Sequence, residues 1–323
     1  MEENYDGSNY SPSTFLPLIP IILLNGIKGM ALGWSTNILP RDLNDITSAT
    51  MEYLKKGKIN NELMPFYNKL DLIVEKVEEG SYSITGKLEV INTSTVRITE
   101  IPPILTLSTY RDVLDELEEN GKIQSYIDKS SESINLEVKL KRADLSNYTE
   151  EQLIDLLKLK KVHKERIVAV DFDNTKVLQF SSPQEVVQKF VDWRLSWYEI
   201  RYQNLRDKEL KYAEYLDCVM RCFEGEGKIK PLTQLISSKP TREKIIERIT
   251  QLIDVKFNDP QEVISKICSI SIDKWTEEVH QDLVKKLEES LDKIDYYEEM
   301  INDPEKRKKQ YIQELTELKR ERF

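Results

Sequence analysis

At 323 residues the chain can bury one large core or two ordinary ones, and its 57 acidic against 47 basic side chains leave a net charge of −10. That sign excludes a protein that grips nucleic acid over its whole surface, so any such contact has to be local or completed by a more basic partner. Ten glycines argue against a fold built on tight phosphate loops. The three cysteines (Cys218, Cys222, Cys268) and two histidines (His163, His280) fall into no metal-ligand spacing.

Taken in order, residues 1–14 are polar and read as an irregular lead-in. The apolar run 15–24 is too short to span a bilayer, holds Pro17 and Pro20, and lacks the flanks of a signal peptide. With an odd cysteine count and no disulfide framework, this points to a cytoplasmic protein. Residues 25–35, NGIKGMALGWS, read as a glycine-punctuated loop, and from the residues alone that loop is structural before it is functional. A helix is predicted over 41–56, with Asp42 or Asn44 near its start and Gly57 at its end.

From 70 to 101 the pattern turns to short β-type runs, in which Tyr82, Ile84, Leu88 and Val90 flank Gly86. A helix over 108–119 stops at Asn120-Gly121. Ile134, Leu136, Val138 and Leu140 then alternate with polar residues as in a half-buried strand. A helix over 149–159 leads to a hairpin, 167–170 and 177–180, turned through Asp173-Asn174.

Beyond Ser182 the composition changes. Pro183 suits a helix start, and no Gly or Pro follows until Gly225, which allows about 60 Å of helix. Val187, Phe190, Trp197, Tyr212, Tyr215, Val219 and Cys222 share its predicted apolar stripe. Short helices over 241–254 and 260–267 precede a long one over 276–301. Asp303 then caps a last helix that has Pro304 in its first turn. Two long helices around a small helical insert suggest an antiparallel coiled-coil arm with a knob at its tip, although a plain helical bundle fits the same pattern. Leu232, Leu235, Ile246 and Ile267 exceed what a small knob needs for its own core, so the tip is expected to pair with a second copy.

One local motif points to phosphatase chemistry. IVAVDFDNTKV, residues 167–177, resembles the first motif of haloacid-dehalogenase-type phosphatases, which would make Asp171 the nucleophile, Asp173 the acid/base and Mg²⁺ the cofactor. Such a fold needs parallel strands alternating with helices after the motif, and the sequence continues instead into about 140 mostly helical residues. A purely structural coiled-coil protein would explain the arm but not residues 15–40.

Four segments carry a different resemblance, in matching order. FLPLIPIILLNGIKGMALGWSTNILP (15–40) resembles the stretch that follows the catalytic tyrosine in type IIA DNA topoisomerases. SYSITGKLEVINTSTVRITEIP (81–102) looks like the strand pair of their tower domain, and FVDWRLSWYEIRYQNL (190–205) like the opening of their coiled coil. NDPEKRKKQYIQELTELK (302–319) is similar to the end of the gyrase A-type breakage core. Ile38 to Pro40, the stretch near Glu119 and the modest arm length look most like the medium subunit of T-even-type phage topoisomerases.

The resemblance implies an α+β protein that binds and bends one duplex while both its strands are cut through paired tyrosines and a second duplex passes. It implies that residues 1–45 belong to the DNA gate, 46–180 to the tower, and 181–323 to the arm and its dimerisation tip. Met30 occupies the position of the family isoleucine that wedges between base pairs, and it keeps the apolar, flexible bulk for that role. Asn25, Gly26, Lys28, Gly29, Gly33, Ser35 and Arg41 are the implied backbone contacts around it. Lys158, Lys160, Lys161, Lys164 and Arg166 are further candidates along the tower, whereas Trp34 is expected to pack.

The family nucleophile lies in an Arg-Tyr pair a few tens of residues before the apolar run. Neither Tyr5 nor Tyr10 has an arginine before it, so no catalytic residue is expected in this chain. Mg²⁺ and ATP are expected on a partner chain that carries the metal-binding and ATPase domains, with double-stranded DNA and a second copy as the other partners. If the source is a phage, the compartment is the host cytoplasm.

Overall fold

Local chemistry sets most element ends. The computed structural model describes residues 2–12, 14–172, 175–253, 260–271 and 274–320. It divides into two units, Met1–Arg194 with Ile312–Phe323, and Leu195–Tyr311.

The first unit opens with β1 (Glu2–Glu3) paired to β2 (Tyr10–Ser11), a small hairpin where the composition predicts an irregular lead-in. The apolar run forms α1 (Ile21–Asn25), which buries Leu23. The next segment is a β-hairpin rather than a loop: β3 (Ile27–Ala31) pairs antiparallel with β4 (Trp34–Ile38). Then α2 (Leu43–Lys56) begins at Asp42, whose carboxylate accepts from the backbone N–H groups of Asn44 and Asp45 at 2.7 and 3.3 Å.

Residues 73–100 form β5 (Ile73–Glu78), β6 (Ser81–Thr85), β7 (Lys87–Asn92) and β8 (Thr95–Glu100). They are followed by α3 (Leu107–Glu119), which starts in a Thr106–Thr109 capping box. Further on lie β9 (Ser125–Asp128), β10 (Leu136–Lys139), α4 (Arg142–Asn147), α5 (Glu150–Leu156), β11 (Lys160–Lys164), β12 (Ile167–Val170) and β13 (Val177–Phe180).

Every strand pair among the described residues is antiparallel. One sheet has the order β7-β8-β10-β9 and another β11-β6-β5. The first sheet turns Val96, Ile98, Leu136 and Val138 onto Tyr110, Leu114 and Leu117 of α3, with Leu153, Leu157 and Leu159 closing the core. Tyr110 donates its hydroxyl to the Leu157 carbonyl at 2.7 Å, which satisfies the one polar atom it buries there.

The long helix α6 (Pro183–Glu224) runs from the first unit into the second and spans 42 residues, about 63 Å. Its buried stripe differs from the predicted one. Val187, Phe190, Val219 and Cys222 are buried as expected, but Tyr198, Tyr202, Ala213 and Leu216 fill the middle, while Tyr212 is exposed. The second unit continues with α7 (Leu232–Ile236), α8 (Arg242–Leu252), α9 (Pro260–Cys268) and α10 (Glu277–Asn302), and α11 (Pro304–Arg320) starts in the second unit and ends in the first. Asp303 caps α11, accepting from the N–H groups of Glu305 and Lys306 at 2.9 and 3.3 Å.

Contacts between α6 and α10 run in opposite chain directions. Tyr202 meets Tyr296 and Tyr297, Glu209 meets Ser290 and Lys293, and Glu224 meets His280. The pair is therefore antiparallel. At its far end Cys218, Val219 and Cys222 pack with Leu232, Ile249, Leu252, Ile264 and Ile267, and Leu235 and Ile246 lean on the same cluster. Of the four apolar side chains expected to be surplus, Leu232 and Ile267 are buried in the knob's own core, while Leu235 and Ile246 stay partly exposed. Among the described residues no helix is long and apolar enough to cross a membrane.

Candidate nucleic-acid interface

The hairpin β3–β4 exists because two glycines permit it. Gly26 has φ 67° and lies so close to the outgoing chain that a Cβ would sit 2.7 Å from the Ile38 carbonyl and 2.9 Å from the Pro40 nitrogen. Gly33, at φ 79°, supplies the left-handed residue of the tight turn. Gly29 is different: a Cβ there would meet only Thr36 Cγ2 at 3.8 Å, an ordinary contact.

Register then decides which side chains share a face. Lys28 stands opposite Asn37 and Met30 opposite Ser35, so these four lie on one side of the ribbon. Met30 is 93% exposed and Leu32, in the turn, fully so. Met30 and Leu32 thus leave apolar side chains in water at the hairpin tip.

The segment 164–166 joins that face from far along the chain. Asn37 and Arg166 exchange backbone hydrogen bonds of 2.8 and 3.0 Å, and Asn37 Nδ2 donates to the Lys164 carbonyl at 3.0 Å. Arg166 Nη1 donates to Ser35 Oγ at 3.1 Å, directly across from Met30. Lys28, Lys164 and Arg166 are exposed and make no ion pair with an acid among the described residues. By contrast, Lys158 lies 3.0 Å from Glu116 and Lys160 3.7 Å from Glu75, so these two members of the predicted basic cluster are locally neutralised.

His163, one strand residue before Lys164, is buried with its Nε2 unpartnered. Burial, and then the Lys28 charge, hold its imidazole below the ordinary value of 6.5. An open apolar groove of about 310 Å³ lies beside the tip between Ala31, Trp34, Thr36, Val168 and Val170, and Trp34, expected to pack, stays exposed at its edge.

Arg41 does not belong to this surface. It is 1% exposed, and its guanidinium makes a two-pronged pair with Glu165 at 2.6 Å for each prong, so it cannot reach a phosphate. Asn25 ends α1 beside a larger hollow of about 600 Å³, at the base of the hairpin and not at its tip. Of the expected contacts, the structure brings together Lys28, Met30 and Ser35, assigns Gly26 and Gly33 to backbone geometry, and removes Arg41. It adds Arg166 as the close neighbour of the tip.

The described residues of the phosphatase motif are tied to one another between two paired strands. Asp171 accepts from the Thr175 N–H and hydroxyl at 2.7 and 2.8 Å, bonds that hold its carboxyl below the usual range, and its own N–H reaches the Lys176 carbonyl. The strands on either side, β12 and β13, are antiparallel, so they do not form the parallel sheet that this chemistry requires. Asp173 and Asn174 lie outside the described residues. Arg201-Tyr202 is the one Arg-Tyr dipeptide in the sequence, and its tyrosine is buried in α6.

The family model for the A-type subunits of DNA gyrase and topoisomerase IV matches residues 1–316. The chain belongs to this family, the DNA-cleaving subunits of type IIA topoisomerases. Among curated relatives, DNA topoisomerase 2 of Plasmodium falciparum (isolate K1 / Thailand) is 28% identical over 271 residues, which are 82% of this chain and 18% of that protein. DNA topoisomerase 2 of Arabidopsis thaliana is 26% identical over 266 residues, 77% of this chain and 17% of that one.

The crystal structure of the Plasmodium falciparum topoisomerase II DNA-binding, cleavage and re-ligation domain shares the fold. Its TM-score is 0.74 at 22% identity, over 96% of this chain and 45% of that one. The chain thus spans less than a fifth of these two relatives and under half of that structure.

Proposed function

We propose that this chain binds one DNA duplex on the face of β3–β4 and bends it, as part of an ATP-dependent type II topoisomerase that passes a second duplex through the transient break. The observation that carries this reading is Met30, held out in water on a hairpin face where Lys28 and Arg166 are unneutralised. Inserting an apolar side chain at a base step costs on the order of a few kcal/mol of unstacking, and contacts to the bent backbone offset that cost. Lys28, Lys164 and Arg166 are placed to supply such contacts, with Gly29 and Ser35 as polar or backbone neighbours. A net charge of −10 makes such a local basic patch the form that a DNA contact has to take here.

In this reading residues 1–45 form part of the DNA gate, 46–180 the tower, and 181–323 the coiled-coil arm through which two copies pair. Mg²⁺ and ATP act on a partner chain with the metal-binding and ATPase domains. Strand cleavage is assigned to a tyrosine other than Tyr5, Tyr10 or the buried Tyr202.

The test is energy transfer between dyes on the two ends of a short duplex. Met30→Ala should lower the bend with little loss of affinity. Lys28→Ala should weaken binding and flatten its salt dependence by about one unit of slope, as expected for one lost phosphate contact. An unchanged bend in the methionine variant would remove the wedge.

A further inference from the structure

Arg41 gathers both legs of the hairpin. Its N–H donates to the Leu23 carbonyl at 2.8 Å, just before β3 begins, and its Nη1 reaches the Leu39 carbonyl at 2.5 Å, just after β4 ends. Its Nε donates to the Leu63 carbonyl at 3.1 Å. The remaining donors hold Glu165, whose Oε1 also accepts from the Leu39 N–H at 2.9 Å. Glu165 is itself fixed, because its N–H donates to the Gly80 carbonyl at 2.7 Å and the next residue, Arg166, pairs with Asn37.

The two side chains are 0% and 1% exposed. A buried ion pair is a poor way to gain stability, since an apolar pair of similar volume holds segments together as well or better. What a guanidinium–carboxylate fork adds is direction: two parallel hydrogen bonds fix an angle that apolar contact leaves loose. A two-stranded ribbon this short is marginally stable by itself in water, so what ties its base matters.

We propose that Arg41 and Glu165 are positioning residues that set the aim of the β3–β4 hairpin, so that the force of prying bases apart is borne by the sheet junction and not lost in bending the ribbon. The pair acts through Met30 and touches no DNA. This inference rests on the wedge reading above.

The test uses the full chain and the end-labelled duplex, with Met30→Ala as reference. The double variant Arg41→Met/Glu165→Leu gives up the bonds to the Leu39 and Leu63 backbone and should melt lower than the parent; at a temperature where it stays folded it should bind with nearly unchanged Kd. Its energy transfer should fall to the Met30→Ala level, and adding Met30→Ala to it should lower the signal no further. Arg41→Lys keeps the charge without the fork and should lose the bend as well. If the double variant does not fold, Arg41→Lys decides alone.

A folded double or lysine variant that bends DNA like the parent, while Met30→Ala does not, would overturn the positioning role and leave the wedge standing. A Met30→Ala chain that bends like the parent would instead overturn the wedge reading and this inference with it.

Discussion

Met30, Arg41 and His163 show how differently single residues can be read. Met30 is legible because its identity and its place in a glycine-bounded segment are both local. Arg41 is not, because its partner is 124 residues away and an arginine beside a helix start looks the same whether it faces water or Glu165. His163 sits inside a lysine-rich run, where only the strand register shows that it points inward, opposite Tyr82. It carries a pH prediction. Its folded-state pKa is depressed from the ordinary 6.5, so the stability it contributes is fully present above about 6.5 and is lost as pH falls through the folded value. The urea midpoint should therefore drop between pH 7 and pH 5, and His163→Phe should remove part of that drop. An identical pH profile in the variant would show that the buried imidazole does not titrate with folding.

At the scale of elements, the longer helices are legible to within a few residues because their caps and periodicity are local, whereas the short α1, α4 and α7 are not. Asp42, Thr106, Thr149 and Asp303 all cap where the residue types allow a start. Some strands are hidden for a physical reason. In β11, KKVHK, only His163 is buried while Val162 is exposed, so the apolar alternation by which strands are recognised is inverted.

The hairpin β3–β4 is hidden by its glycines, which signal a loop unless the opposing strand is known. Those glycines differ in what they require, and this can be measured. Gly26→Ala combines a positive φ with a 2.7 Å clash and should cost about 2 kcal/mol or more in urea unfolding. Gly29→Ala, with only a 3.8 Å neighbour, should lie within roughly 0.5 kcal/mol of the parent. Equal costs would mean that the hairpin base is not the tight crossing described.

For the whole molecule, four family-like segments are the strongest guide, and the match over residues 1–316 bears out the family they point to. The acidic balance points away from DNA, and the structure offers a reconciliation. Ion pairs such as Lys158–Glu116 and Lys160–Glu75 offset charge along the chain, while Lys28 and Arg166 share the hairpin face of one exposed methionine with no acid paired to them among the described residues. The central claim is that this methionine enters the base stack. A duplex carrying 2-aminopurine at successive positions tests it most directly, because the base brightens when it is unstacked. The parent chain should raise the fluorescence sharply at one step, and Met30→Ala should bind the same duplex and leave that step dark. A bound parent that brightens no position, or an alanine variant that brightens the same step equally, would contradict the account.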